Sequence, residues 1–336
     1  MAPVLEATAA ALAVLGAIFI CMLLARRAWL VRREAAQTAA DDRIGPLALE
    51  VLSGGVAKPD LPADETEALG RVLSRYSREL AGEGSLEIAA FFEDSGGVDR
   101  ELAALTHRRV WRRATAAFTL GDMASERAVP ALLGALEDRD RSVRGAAARS
   151  LGRLSAHDAV APLLRALVLR EVPHVTAAHA LLAIGEEALP GLTALASDPD
   201  AEIRANAIEL IGLLGDASEG PGLAKHLRDP SAEVRAKAAR ALGRLGAAEA
   251  TEQLCSALED RISFVRVAAA HALGVVGDAA AAAPLLHVAR SESFIAARAA
   301  AAALGLVDPR ALAAAADTGS HLREAADLLA VRERPG

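Results

Sequence analysis

The chain has 336 residues, 53% of them hydrophobic but only 3% aromatic, and a formal net charge of −7 at pH 7. That acidic balance excludes general nucleic-acid binding, which needs a basic surface to neutralise phosphates. The length suffices for two domains or one elongated array, and two cysteines, Cys21 and Cys255, are too few for a disulfide framework.

Ala7 to Ala25 is a run of nineteen residues without a charge, and as a helix it would span about 28 Å, close to a bilayer's hydrocarbon thickness. The basic residues Arg26, Arg27, Arg32 and Arg33 come after this run instead of preceding it, the reverse of a cleaved signal peptide. With Trp29 at the expected headgroup level, residues 1–25 read as a single-pass anchor in the inner (cell) membrane, with the N-terminus outside and the rest of the chain in the cytoplasm. The alternative is a buried helix of an ordinary fold. Ala9, Ala13 and Ala17 form a small-residue row, but chance accounts for it in so alanine-rich a segment.

Residues 26–63 read as a juxtamembrane helix to about Ala40 and then a linker, with Gly45, Pro46, Gly54, Gly55, Pro59 and Pro62 around one apolar patch, Leu47 to Leu52. Asp64 to Leu80 has the spacing of an amphipathic helix through Leu69, Val72, Leu73 and Tyr76; Ser85 to Glu93 predicts a shorter one, and Asp99 can cap a third. Residues 64–109 are therefore expected to form a helical cap over the first face of a stacked array. At its end stands HRRVWRR, His107 to Arg113. Arg108, Arg109, Trp111 and Arg112 form a candidate basic patch for an anionic lipid, a nucleic acid or an acidic partner segment. The plainer reading has Trp111 packing cap to array, with the arginines solvated.

From here a pattern recurs. Gly121, Gly152, Gly212, Gly243, Gly274 and Gly305 fall in register, with Leu182 in the missing place, at intervals of 30 or 31 residues. A period in this range marks stacked supersecondary units, each too small to bury its own apolar face. Each unit reads as two helices. The first resembles AVPALLGALED, with Val129, Leu132, Leu133 and Leu136 at helical spacing and a proline near its start (Pro130, Pro162, Pro190, Pro221, Pro284). The second carries an apolar face such as Val143, Ala147, Leu151 and Leu154.

Eight positions before the register mark stand Arg113, Arg144, Arg204, Arg235 and Arg266, and six earlier again Asp138, Asp198, Asp229 and Asp260. A carboxylate leading the turn and a guanidinium in the next helix can hydrogen-bond within and between units, so this ladder reads as structural. Repetition argues against catalysis, because an active site is a single constellation. His174 and Val168 lapse together, as partners would. No HExxH or Cys/His metal spacing, no P-loop and no dinucleotide fingerprint is present, so no catalytic residue, metal or cofactor is assigned. The register glycines are expected to close helices.

The repeats resemble the HEAT family of helical repeats, in particular the short alanine-rich kind named for phycobilin lyases. The resemblance covers about Val110 to Ala330. It implies an all-α fold, an α-solenoid of helical hairpins in about seven registers over residues 110–330 with a tail at 331–336, preceded by the transmembrane helix. In such a solenoid the second helices line the concave side, and the position three before each mark should project from them. That row reads Phe118, Arg149, His179, Glu209, Arg240 and His271, and unlike the ladder it varies from unit to unit. The expected function is a membrane-tethered scaffold, not an enzyme, that binds a protein partner, itself membrane-associated, through the concave row. Anchored HEAT proteins of this build look like ones that accompany membrane glycosyltransferases in bacteria, which implies a membrane enzyme complex as partner. The alternatives are a phycobilin lyase-like enzyme and a nucleic-acid-binding HEAT protein; the second would need a basic groove where this row mixes signs.

Overall fold

The computed structural model describes the backbone of residues 2–54, 61–77, 83–290 and 294–332, and the side chains within them apart from 2–18, 30–31, 33–37, 40, 83, 294, 320, 329 and 331–332. The linker residues 55–60, residues 78–82 and 291–293 and the tail 333–336 lie outside it. Among the described residues every secondary-structure element is a helix, and the chain divides into two compact units, Met1–Ala135 and Leu136–Gly336.

The N-terminal unit opens with one helix, Ala2–Leu52, 51 residues long and containing Pro46. Residues 41–52, expected as linker, are thus helical. Pro46 removes one intrahelical donor, but Ile44, Ala48 and Val51 make an apolar stripe at helical spacing that is buried. The helix packs on Ala63–Tyr76, whose buried Ala68, Leu69, Val72 and Leu73 supply the opposing face. Arg71 Nη2 pairs with Asp41 Oδ1 at 3.3 Å across that contact. Tertiary burial outweighs the local breaker, at ~2 kcal/mol for each large side chain covered.

The expectation of a membrane span is overturned here. Among the described residues no helix is long and apolar enough to cross a membrane. The apolar, described part of Ala2–Leu52 runs only from Phe19 to Ala25 before Arg26 and Arg27, and the remainder of the expected span, residues 7–18, has no described side chains. The single-pass inner-membrane location therefore does not stand.

Helices Glu83–Asp94, Gly97–Ala104 and Val110–Asp122 complete most of this unit. Ile88, Phe91, Phe92 and Val98 are buried, with the Phe91 and Phe92 rings edge to face at 5.2 Å. Two glycines make room for Phe92: a Cβ on Gly70 or Gly97 would stand 3.1 or 3.0 Å from its ring. Arg127 Nη2 reaches Asp99 Oδ1 at 2.9 Å, and the buried Ser125 hydroxyl bonds the Glu93 carboxylate. The short first helix Val129–Ala135 ends the unit.

In the C-terminal unit first and second helices alternate. The second helices are Arg141–Arg153, His174–Ile184, Ala201–Leu214, Ala232–Arg244, Ser263–Val276 and Phe294–Val307. Between them run Val160–Val168, Leu189–Leu195, Gly220–Ala224, Thr251–Ala257 and Ala282–Ala289, entered through single 3-10 turns. Each of those first helices buries a leucine to 2% exposure or less at the same place: Leu163, Leu192, Leu223, Leu254 and Leu285. Each second helix buries an apolar stripe such as Val143, Ala147 and Leu151, or Val265, Ala269 and Leu273. Alanine across so many facing positions keeps the helices close and the core thin.

The register glycines do not end these helices; they lie inside them, where successive second helices touch. A Cβ on Gly152 would fall 2.6 Å from Ala180 Cα, on Gly212 2.7 Å from Ala241 Cα, and on Gly243 2.8 Å from Ala272 Cα. Where Leu182 replaces glycine the closeness is lost: His174–Ile184 and Ala201–Leu214 approach far less than the neighbouring pairs do. Helix closure falls three residues later, at Ser155, Gly185, Gly246 and Gly277, all at positive φ. After Ser155 and Gly246 the backbone closes in the paired 6→1 pattern, Ala156 N donating to Leu151 O and Ala247 N to Leu242 O.

Candidate functional site

The aspartate/arginine ladder is a chain of hydrogen bonds with a simple local origin. Each ladder aspartate accepts at Oδ1 the backbone N–H two residues on: Asp138 from Asp140, Asp198 from Asp200, Asp229 from Ser231 and Asp260 from Ile262, all at 2.8 Å. That closes the turn into the second helix. Six residues after each aspartate the arginine reaches back to its carbonyl: Arg144 Nη1 to Asp138 O (2.8 Å), Arg204 Nη1 to Asp198 O (2.8 Å), Arg235 Nη1 to Asp229 O (2.9 Å) and Arg266 Nη1 to Asp260 O (2.7 Å). The side-chain pairing runs forward into the next unit. Arg204 grips Asp229 through Nε (2.9 Å) and Nη2 (2.8 Å), and Arg235 grips Asp260 through Nε (2.6 Å) and Nη2 (3.0 Å).

The carboxylate partner of Arg204 and of Arg235 is thus the next unit's aspartate, not its own, and by the same register Val168 is a lapse for Arg144. Arg144 Nε turns instead to the backbone carbonyl of Glu171 at 2.7 Å. The hydrogen bond with Asp229 holds the Arg204 guanidinium above its ordinary pKa, and the one with Asp260 does the same for Arg235. Burial pushes both aspartates up, but the bidentate arginine and the backbone N–H outweigh it, and both lie below the usual carboxylate range. Fixed, fully paired groups of this kind join units; they do not turn over a substrate.

The variable row is distributed between the two units. Phe118 belongs to the N-terminal unit, on Val110–Asp122, where it lines a cleft of about 1230 Å³ together with Phe91, Phe92, Met123, Arg71 and Arg100. The other members stand on successive second helices of the C-terminal unit. Arg149, His179 and His271 are exposed, and Glu209 and Arg240 are half-buried. Glu209 is tied to Lys237 of the following second helix, and Arg240 Nη2 lies 3.7 Å from Glu233 Oε1. Burial pushes the Glu209 carboxyl up, and Lys237, with Arg244 and Arg240 behind it, overrides this to bring it below its ordinary value.

In the basic patch, Trp111 does not pack the cap onto the array; it is 57% exposed. The Arg112 guanidinium lies over its ring at 5.3 Å, within cation–π range. Arg108 and Arg109 are exposed on the preceding turn, whereas Arg113 is buried and donates to His107 O at 3.0 Å, the same internal bond the ladder arginines make. Sequence reasoning missed the cleft, because its lining is gathered from four consecutive helices whose mutual packing no local pattern sets. Burial raises the Cys255 thiol above its ordinary pKa, with Asp278 adding to it, which makes it a poor nucleophile. Among the described residues no group of three His, Cys, Asp or Glu is placed to hold a metal ion.

Paired helices, repeating at one period and stitched by a forward-running ladder, define an α-helical repeat array. The chain belongs to the HEAT-repeat family: the profile for HEAT repeats matches residues 99–185 and 220–305, together just over half of the chain. The interval between the matches begins just beyond Leu182, where the close packing is lost. No curated protein matches the chain. Among solved structures it is similar to human deoxyhypusine hydroxylase in complex with glycerol, at 19% identity over 82% of this chain and 99% of that one, TM-score 0.34. It is similar also to an engineered protein, at 21% identity over 89% and 95%, TM-score 0.41. A third likeness is to the complex forming the phycocyanin lyase of a Nostoc species, at 21% identity over 81% and 98%, TM-score 0.27. At such identities no activity transfers from them.

Proposed function

We propose that this chain is a binding scaffold whose C-terminal unit docks a protein partner on the row Arg149, His179, Glu209, Arg240 and His271. The observation that carries the reading is the contrast between two register positions. The ladder repeats one chemistry and is buried in hydrogen bonds, while the row changes its side chain from unit to unit and keeps Arg149, His179 and His271 exposed and Glu209 and Arg240 part-exposed to solvent. Constant positions hold the stack; variable, accessible ones on a rigid frame are where specificity is written. Membership of the HEAT family agrees with a protein-interaction role. The glycosyltransferase-complex partner depended on a membrane anchor and is not retained.

The test is affinity capture with the full chain and with Arg149, His179 and Arg240 changed together to alanine, then titration of the identified, purified partner against both. The expected result is about tenfold or greater loss of affinity in the triple variant, since the few side chains at an interface centre carry most of its binding energy. Equal affinity rejects the row as the docking surface.

A further inference from the structure

The helix Val110–Asp122 presents a stripe whose two ends differ in chemistry. Helical spacing puts Trp111, Thr115, Phe118 and Asp122 on one side. At its start the indole of Trp111 is exposed beneath the Arg112 guanidinium, with Arg108 and Arg109 exposed just before it. Among the described residues no carboxylate pairs with Arg108, Arg109 or Arg112, although Arg71, Arg75 and Arg127 of the same unit each meet one. The inward-turned Arg113 holds the turn through the His107 and Arg108 carbonyls, so Arg108 and Arg109 on that turn and Arg112 on the first turn of the helix sit on a backbone already fixed. Seven residues on, about 10 Å along the helix, Phe118 lines the 1230 Å³ cleft beside Phe91, Phe92 and Met123. The same cleft carries Glu67, Asp94, Glu101 and Asp122 against Arg71 and Arg100, so the sign of the surface reverses along the stripe.

We propose that this stripe docks an extended protein segment, its carboxylates on Arg108, Arg109 and Arg112 around Trp111 and a large apolar side chain in the cleft beside Phe118. Guanidiniums take carboxylates in bidentate fashion, and Trp and Arg are the side chains most often found to anchor interfaces. Methionine and phenylalanines at the cleft give an adaptable apolar seat. A nucleic acid fits less well, because a uniform polyanion would leave the three arginines and run onto the acidic rim, and the chain as a whole carries −7. A segment that is acidic at one end only matches the reversal of charge. This surface lies in the N-terminal unit and is independent of the row on the C-terminal unit.

The probe is a fluorescently labelled peptide, Glu-Asp-Glu-Asp-Gly-Ser-Leu-Phe, whose extended spacer covers about 10 Å, measured by anisotropy against the full chain. Three competitors accompany it: the same peptide with lysines for the acids, the same with alanine for the phenylalanine, and a short DNA duplex. The expected result is binding that weakens with added salt, falls about tenfold or more with Arg108→Glu and Arg112→Glu together, and falls also with Trp111→Ala. The alanine peptide should compete more weakly than its parent, which tests the cleft without altering the protein, and Phe118→Leu should narrow that difference. Equal binding by the charge-reversed variant, equal competition by the lysine peptide, or displacement by the duplex with no effect of the phenylalanine each overturns the proposal. Unchanged circular dichroism and melting of the variants establish that folding is intact.

Discussion

Gly152 shows how one missing side chain sets the spacing of an array. A methyl group there would stand 2.6 Å from Ala180 Cα, a backbone atom that cannot rotate away. Gly152→Ala should therefore destabilise the chain by about 1–3 kcal/mol, the usual cost of overpacking, despite alanine's better helix propensity. Gly134, inside Val129–Ala135, has nothing within 4 Å of the position its Cβ would take, so Gly134→Ala should stabilise by about 0.5–1 kcal/mol. Thermal melting of the two variants gives opposite signs if close helix approach is what the register glycine provides. Two glycines on consecutive helices of the chain are thus the same residue and opposite in physics.

Between elements, the ladder does the joining. Arg235 and Asp260 keep side-chain exposures of only 7% and 11%, so removing one partner strands the other in a poorly hydrated place. Arg235→Ala should cost about 3 kcal/mol or more. Arg235→Lys should recover only part of this, because an ammonium cannot hold both carboxylate oxygens and the Asp229 carbonyl in one fork. Arg165→Ala is the control: its pair with Glu137 is also within hydrogen-bond distance, at 2.9 Å, but 57% and 71% exposed, and such pairs contribute about 0.5 kcal/mol. Denaturant titration of the three variants separates a ladder that holds units together from charges that merely meet. The ladder was legible as a repeat, but its forward direction was not, since a six-residue spacing suggested partners within one unit.

For the whole molecule the testable quantity is stability against pH. Asp229 and Asp260 have folded pKa values below their ordinary carboxylate values. Their stabilisation is therefore present above the unfolded carboxylate range and is lost as pH falls through it, below about 4. His226 is buried, and burial foremost, with Lys225 adding to it, lowers its imidazole pKa. The folded state thus resists a proton that the unfolded state accepts below about 6.5, and stability should already decline as pH drops under that value. Denaturation midpoints from pH 8 to 3 should show two declines; His226→Gln should flatten the upper one, and Asp229→Asn with Asp260→Asn the lower. A single acid transition untouched by His226→Gln would contradict this.

The sequence by itself determined the repeat: its period, the two helices of each unit, the buried leucine and alanine stripes, and the positions of the ladder. Those arise from periodicity and turn chemistry, which act over a few residues and are repeated often enough to be read. Tertiary structure decided the rest. A charge-free run looked like a membrane span although no described helix is long and apolar enough to cross a membrane; Gly45 and Pro46 looked like a linker until a neighbouring helix gave residues 44–51 a face to bury against. The exposure of Trp111 and the gathering of Phe91, Phe92, Phe118 and Met123 around one cleft depend on how separate helices pack, and no local pattern encodes a contact whose partner lies on another helix.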